Sequence, residues 1–269
     1  MSAHEIGQRY RALFAHRRSV FVPFFMLGDP DLETSAALLR AALAAGADAL
    51  ELGIPFSDPV ADGPAIQRAA LRARAAGATP ERCFAMIATL REEFPTVPIG
   101  LLTYANLVVH GGSDPFYGRA HAAGVDSVLI ADVPARESEP FSRDARAHGV
   151  APILIAPPNA SAETVSRIAR DSDAYTYVVA RKGVTGAGDR VALAHSALLE
   201  ALRKEGAPPP LIGFGISRPE HLRAALDAGA KGAISGSAIA NRIEESSGNS
   251  SIALVAVSDF VRTMVEATR

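Results

Sequence analysis

One unit recurs along the chain: an alanine-rich segment with helical spacing, then a glycine, then a run of apolar residues. It begins at Ala41, Arg119, Ala145 and Arg223. The glycine suits the left-handed position that ends many helices. The apolar runs do not alternate with polar residues, and continuous runs of this kind are typical of strands buried on both faces of a parallel sheet.

Eight apolar runs predict eight strands, and a helix-like segment follows each of them. Eight βα units within about 250 residues predict a (β/α)8 TIM barrel of the α/β class. We also predict a helix over 2–16 before the first strand. Thr79 suits an N-cap and Pro80 a first helical turn, so a further helix is expected over 79–94 in the second unit. The predicted strands are 19–27, 48–53, 98–104, 126–131, 151–156, 174–180, 210–215 and 232–237.

The end of the chain completes this prediction. The stretch 246–251 (SSGNSS) is expected to be a loop between two helices of the eighth unit.

No linker rich in proline and serine divides the chain, so we predict a single domain over 1–269. The alternative is a doubly wound sheet, which places a glycine-rich phosphate loop after its first strand. Here the glycine-rich stretches come late, and this order favours the barrel.

Composition narrows the class of protein. Of the 269 residues, 48% are hydrophobic, which suffices for a large core. A net charge of -2 offers no basic surface for nucleic acid or membranes. The single cysteine, Cys83, cannot form an internal disulfide, which favours the cytoplasm. We expect no signal peptide and no membrane span, because no apolar run approaches ~20 residues.

Carboxylates gather where the second predicted strand ends. Glu51 lies near the end of that strand, and Asp62 follows in the next loop. Functional groups of barrels collect at the carboxyl ends of the strands, so both side chains can face one pocket. A carboxyl in apolar surroundings has a raised pKa and can exchange protons, while a better solvated one stays ionised. The alternatives are an ion pair for Glu51, a helix cap for Asp62 and an exposed loop contact for Asp58.

Three glycine-containing loops after late strands predict a phosphate site. Barrels commonly bind phosphate through the loops after strands seven and eight and a short helix N-terminus. The loop 181–190 also has the composition of a lid that closes over a substrate. The alternative is that the glycines serve tight turns only. The candidate phosphate and lid residues are Thr185, Gly186, Gly213, Phe214, Gly215, Gly236 and Ser237.

Apolar residues on the strands would form the wall of the pocket. Phe24, Leu102 and Ile234 are core residues by pattern, but an apolar ring of a substrate would need such a wall. Tyr177, in the sixth predicted strand, either offers its phenol to the pocket or packs beside Tyr175. The seven histidines show no ligand spacing, so we predict no metal site.

The motif ELGIPFSDPVADGPAIQRA (51–69) is the most specific signal in the chain. Together with YANLV, GVTG, GFGIS and GAISGSAI, it resembles the tryptophan synthase alpha subunit family over nearly the whole length. The resemblance implies cleavage of indole-3-glycerol phosphate to indole and D-glyceraldehyde 3-phosphate. It also implies that this subunit needs no cofactor and that indole passes through a tunnel to a beta subunit carrying pyridoxal phosphate, in an alpha2beta2 heterotetramer.

The resemblance also assigns roles to residues. Glu51 stands at the family's catalytic glutamate, and Asp62 at the aspartate that accepts a hydrogen bond from the indole N–H. Thr185 stands at the lid threonine that orders this aspartate. The implied contacts with the beta subunit lie at Pro55, Asp58, Asn106 and Pro134.

Three departures from the family pattern leave the catalytic groups intact. Met26 stands where a threonine is common, and Lys182 replaces a smaller lid residue. The stretch VHGG (109–112) follows YANLV where many relatives carry asparagine, so a different contact with the partner is expected there. Two other functions stay open at this point. A binding subunit without turnover would not need both Glu51 and Asp62. A different phosphosugar enzyme on the same barrel would share the late glycines but not the acidic motif.

Overall fold

The computed structural model describes residues 6–179 and 188–269, with the backbone alone for 188–195. Its helices and strands alternate as the sequence predicts, so every strand runs parallel to its neighbours. Within the described part of the chain, no helix combines the length and apolar character that crossing a membrane requires.

The nine strands form one sheet in the order β5-β4-β3-β2-β1-β9-β8-β7-β6. Because β5 and β6 are consecutive in the chain, the two ends of the sheet meet and the barrel closes. The strands are β1 Val20–Met26, β2 Leu50–Gly53, β3 Ile99–Thr103, β4 Ser127–Ile130, β5 Ala151–Ile153, β6 Ile155–Ala156, β7 Thr176–Val179, β8 Pro210–Gly213 and β9 Gly232–Ser235.

Twelve α-helices, counted in the described ranges, surround the barrel. They are α1 Gln8–His16, α2 Leu32–Ala44, α3 Pro64–Ala75, α4 Pro80–Glu93, α5 Ala105–Val109, α6 Ser113–Ala122, α7 Glu139–Ala147, α8 Ala162–Asp171, α9 Gly188–Lys204, α10 Pro219–Asp227, α11 Ser237–Glu245 and α12 Ser250–Glu266. A short 3₁₀ helix, Ala135–Glu137, precedes α7.

Local signals place the helix ends where the sequence predicts them. The glycines after α2, α6, α7 and α10 all have a positive φ, so each ends its helix in the left-handed conformation. Thr79 caps α4 by accepting from the Arg82 N–H at 3.4 Å. The extra helix before β1 is confirmed, but it begins at Gln8, after a turn at residues 6–7. The second helices of the second and eighth units are confirmed.

Two details differ from the sequence prediction. The predicted strand 151–156 is divided at Leu154, whose N–H donates to Ser172 Oγ (3.1 Å) instead of to a neighbouring strand. The third unit also contains two helices, α5 and α6, where one was predicted. The YANLV segment forms α5 directly after β3, and the two glycines after it, Gly111 and Gly112, have positive φ values that separate it from α6.

Candidate active site

Glu51 lies inside the barrel, on the second of its strands. It pairs in register with Phe24 on β1 and with Gly100 on β3, so all three positions face the barrel interior. Its side chain is buried. The Tyr175 hydroxyl donates to Glu51 Oε1 at 2.7 Å, while Oε2 has no hydrogen-bond partner among the described residues. One carboxyl oxygen is therefore held and the other is left for a ligand.

The surroundings of Glu51 favour its neutral form. The pKa of Glu51 is raised from 4.5 to about 7, chiefly by burial; the Tyr175 hydrogen bond opposes this rise and the charge of the neighbouring Asp62 contributes to it. Among the described residues the partner of this carboxyl is the Tyr175 hydroxyl and not an arginine or lysine. A carboxyl group with a pKa near neutrality can both donate and accept a proton.

Asp62 lies in the loop between β2 and α3. The first helical residue of α3 is Pro64 and the N-cap is Gly63, without a side-chain hydrogen bond, so Asp62 is not the helix cap considered from the sequence. Its Oδ2 is buried and has no partner among the residues described. Burial raises the pKa of Asp62 to about 6, and a hydrogen bond from Tyr104 opposes that rise. At neutral pH this carboxyl is mostly ionised.

Two tyrosines that the sequence analysis did not assign to the site hold the two acids. Tyr175 precedes β7, and Tyr104 follows β3. The Tyr104 hydroxyl accepts from the Ala61 N–H at 3.2 Å and donates to Asp62, so it fixes the loop and the carboxylate together. Both residues sit in or next to apolar runs, where a tyrosine reads as a core residue. YANLV, the motif that begins at Tyr104, was the available signal.

The predicted wall residues face the same cavity. Phe24 is buried beside Gly53, where an added Cβ would lie 2.7 Å from Phe24 Cζ and 3.2 Å from Met26 Cε. Leu102 pairs with Gly53, and Ile234 lies buried on β9. Met26 therefore contributes an apolar side chain beside Gly53 and Phe24.

Tyr177 packs under the loop after β8. An added Cβ at Gly213 would lie 2.0 Å from the Tyr177 hydroxyl oxygen, so only glycine leaves room for this phenol. The ring of Tyr177 meets Phe214 edge-on at 6.2 Å. Phe214 has a φ of +66° and a side chain that is 44% exposed, so it stands at the rim of the barrel. Burial raises the pKa of the Tyr177 phenol, which keeps its proton.

The predicted phosphate residues lie on two adjoining loops. Gly213 ends β8, Phe214 and Gly215 follow it, and Gly236 and Ser237 open α11. Ser235 Oγ donates to the Ile216 carbonyl oxygen at 2.5 Å and joins the loops. The first N–H groups of a helix have no partner within it, so α11 presents donors at this rim. Thr185 and Gly186, the lid residues of the prediction, lie outside the described residues.

The four residues assigned to a partner contact follow β2, β3 and β4, at the same end of the barrel. Asp58, Asn106 and Pro134 are exposed, whereas Pro55 is buried in the free chain. Their loops are joined, because Phe56 stacks on Tyr104 at 5.4 Å and the Ala105 N–H donates to Asp132 at 2.8 Å. These contacts make one continuous surface beside the acidic pair.

Comparison with known proteins agrees with this geometry. The family model described as "Tryptophan synthase alpha chain" matches residues 10–269. The tryptophan synthase alpha chain of Escherichia coli strain SMS-3-5 is 54% identical over 266 residues, which cover 97% of this chain and 99% of that protein. The corresponding chain of Escherichia coli strain K12 is 53% identical with the same coverage.

Solved structures give the same result. Tryptophan synthase subunit alpha from Legionella pneumophila strain Paris superposes with a TM-score of 0.87 at 31% identity, with 98% of each chain covered. A chain of the tryptophan synthase a2b2 complex from Pyrococcus furiosus superposes with a TM-score of 0.83 at 31% identity, covering 93% of this chain and 99% of that one. The protein described here belongs to the tryptophan synthase alpha chain family.

Proposed function

We propose that this chain is the lyase subunit of a tryptophan synthase and acts as one barrel domain in the cytoplasm. It cleaves indole-3-glycerol phosphate by a retro-aldol reaction into indole and D-glyceraldehyde 3-phosphate. The observation that carries this proposal is the buried Glu51 carboxyl. One of its oxygens accepts a hydrogen bond from Tyr175, and the other has no hydrogen-bond partner among the described residues. The neighbouring acid, Asp62, also has a raised pKa. Two acids so placed suit a reaction that moves protons on an aromatic ring.

The chemistry requires an acid first. Indole is a poor leaving group until its C3 atom is protonated, and protonation there creates positive charge at the ring nitrogen. We assign the proton to the neutral form of Glu51, whose pKa of about 7 keeps that form populated at neutral pH. We assign the charge stabilisation to Asp62, whose carboxylate accepts a hydrogen bond from the ring N–H.

The same carboxyl can complete the reaction. After it has donated its proton, Glu51 is a carboxylate and can take the proton of the hydroxyl on the adjoining glycerol carbon. The C–C bond then breaks, its electron pair returns to the ring, and the carbon becomes an aldehyde. Glu51 is neutral again, so protons balance over one turnover, and we propose that this subunit needs no cofactor.

We assign the phosphate to the rim formed by the loops after β8 and β9. The N–H groups at the start of α11 and the open backbone at Gly215 suit an anion there. The ring would then lie deeper, between Phe24, Leu102 and Tyr177. This places the apolar end of the substrate against apolar walls and its charged end at the solvent-exposed rim.

The partner we propose is a beta subunit that carries pyridoxal phosphate and joins indole to serine. Exposed apolar side chains lie beside the predicted contact residues: Val60 is 80% exposed and Val109 is 51% exposed. Apolar side chains clustered at one end of a barrel suit a protein contact. Docking at this end would bring the partner next to the pocket, so that indole passes between the subunits without entering solvent.

Indole release from indole-3-glycerol phosphate tests the function directly. We expect the purified chain to release indole slowly. The rate of release should rise when a tryptophan synthase beta subunit and serine are added. Glu51→Gln should lower kcat by roughly 10²–10⁴-fold, the usual contribution of a general acid–base group. No release by the wild-type chain in either condition, with the partner still activated, would identify a binding subunit and contradict the proposal.

Asp62→Asn tests the second acid. The substitution keeps the size of the side chain but removes its negative charge, so kcat should fall by roughly 10²–10³-fold while KM changes little. Asp259→Asn, on the exposed surface of α12, is the matched control and should leave both constants unchanged. If Asp62→Asn bound substrate and turned over as the wild type does, Asp62 would be a turn residue only.

Burial of Glu51 also predicts a pH-dependent stability. Between about pH 4.5 and 7 the folded chain keeps a proton that the unfolded chain loses, so the free energy of unfolding falls as pH rises. Glu51→Gln stays neutral and should be more stable than the wild type by about 3 kcal/mol above this window and by little below it. Urea unfolding at about pH 5 and about pH 8 measures the difference. The same gap at both pH values would refute this account.

A further inference from the structure

A second tyrosine enters the barrel from the end opposite the substrate site. Tyr10 on α1 is buried, and its hydroxyl oxygen accepts from Ser127 Oγ at 3.2 Å. Gly100 leaves the room for this contact. An added Cβ at Gly100 would lie 2.8 Å from the Tyr10 oxygen, 2.9 Å from the Ser127 oxygen and 3.6 Å from the Tyr175 oxygen. Three hydroxyl groups therefore meet beside one glycine in the barrel interior.

The helix that carries Tyr10, α1, is fixed to the segment just before β4, the strand that begins with Ser127. Arg9 forms an ion pair with Asp126 at 2.8 Å and donates to the Pro95 carbonyl oxygen at 2.7 Å. Asp126 is buried and also accepts from Arg91 at 2.7 Å and from the Ile99 N–H at 2.8 Å. Since Arg9 precedes Tyr10 and Asp126 precedes Ser127, an ion pair and a hydrogen bond hold the same two segments together.

Tyr10 in turn packs against the residue that holds Glu51. The rings of Tyr10 and Tyr175 lie 5.3 Å apart at an angle of 48°. Next to them, an added Cβ at Gly7 would lie 3.3 Å from Ala174 Cβ, so α1 touches the segment before β7 at two points. Tyr175 cannot turn its ring toward the N-terminal end of the barrel while Tyr10 is in place.

A leucine in place of Tyr10 would fill this end of the barrel without burying a polar atom. Buried hydroxyl groups reduce stability unless they are paired, and here Tyr10, Ser127, Tyr175 and Glu51 form two hydrogen-bonded pairs around Gly100. The charge of Glu51 also acts on the Tyr10 phenol, which places the two groups in one electrostatic environment. The arrangement links the N-terminal helix to the acid at the opposite end.

We infer that Tyr10 is a positioning residue for the lyase reaction: it holds Tyr175 in the orientation from which that side chain donates to Glu51. The inference rests on the proposed function. Substitution of Tyr10 should change kcat rather than KM, because the proposed contacts with the substrate phosphate and ring lie at the other end of the barrel. Tyr10 touches no substrate atom.

Four variants test this role by steady-state kinetics of indole release. Tyr10→Leu removes the ring contact and should lower kcat about tenfold, with KM within about threefold, well short of the loss of an acid–base group. Tyr10→Phe keeps the ring and should stay within about threefold of the wild type. Gly100→Ala should lower kcat as Tyr10→Leu does, because its Cβ displaces the Tyr10 hydroxyl. Adding Tyr10→Phe and Ser127→Ala to Gly100→Ala removes both oxygens that lie within 3.0 Å of the new Cβ and should restore most of the activity.

Two substitutions outside the barrel serve as controls. Tyr117→Leu removes an equally buried tyrosine from α6, and Gly118→Ala adds a Cβ with only an ordinary contact at 3.6 Å from His148. Both should keep the wild-type kcat at temperatures where they are folded. If Tyr10→Leu does not fold, Gly100→Ala and the triple variant with Tyr10→Phe and Ser127→Ala decide the question alone.

Two outcomes would overturn the role of Tyr10. One is a wild-type kcat in Gly100→Ala and in any folded Tyr10→Leu, which would leave Tyr10 as a core residue. The other is a loss of kcat in Gly100→Ala that Tyr10→Phe together with Ser127→Ala does not restore. A wild-type chain that releases no indole would instead count against the proposed function, so the two failures are distinguishable.

Discussion

A carboxyl group inside an apolar barrel must be neutral or hydrogen-bonded, and this constraint organises the whole site. Glu51 meets it in both ways, since burial raises its pKa and Tyr175 donates to one of its oxygens. The surrounding strands contribute apolar residues, and their glycines leave space for the tyrosine and phenylalanine side chains inside the barrel. Asp62, in the adjoining loop, is a second acid that ionises more readily. The proposed chemistry depends on the difference between these two environments.

The two ends of the barrel have different tasks. Loops at the carboxyl ends of the strands carry the proposed contacts with substrate and partner, as barrels generally arrange them. The opposite end is closed by α1. The Arg9–Asp126 ion pair holds this helix against the segment before β4, and a hydrogen bond from Arg9 to the Pro95 carbonyl oxygen holds it against the segment before β3. The Tyr10–Tyr175 contact crosses from one end to the other. In our proposal, a residue that contributes to closing the fold also sets the position of an acid in the active site.

Much of the fold was readable from local pattern, because continuous apolar runs and helix-ending glycines are local signals. The division of the fifth predicted strand at Leu154 could not be predicted from local pattern, because it depends on a hydrogen bond to Ser172, which follows the next helix in the chain. Glu51 and Asp62 could be proposed as site residues from the sequence because acids near an apolar strand end are unusual. The contacts of Tyr175 with Glu51 and with Tyr10 could not be predicted, because a tyrosine among apolar residues reads as core and these contacts join distant segments.

The most direct test is the titration of Glu51 itself by NMR, with glutamate labelled with ¹³C at the side-chain carboxyl carbon. The Glu51→Gln variant identifies the resonance, because only one signal disappears from the spectrum. The account predicts an apparent pKa of about 7 for this carboxyl in the free chain. An apparent pKa close to the ordinary 4.5 would mean that Glu51 is a solvated carboxylate, and the proposed exchange of protons at neutral pH would lose its physical basis.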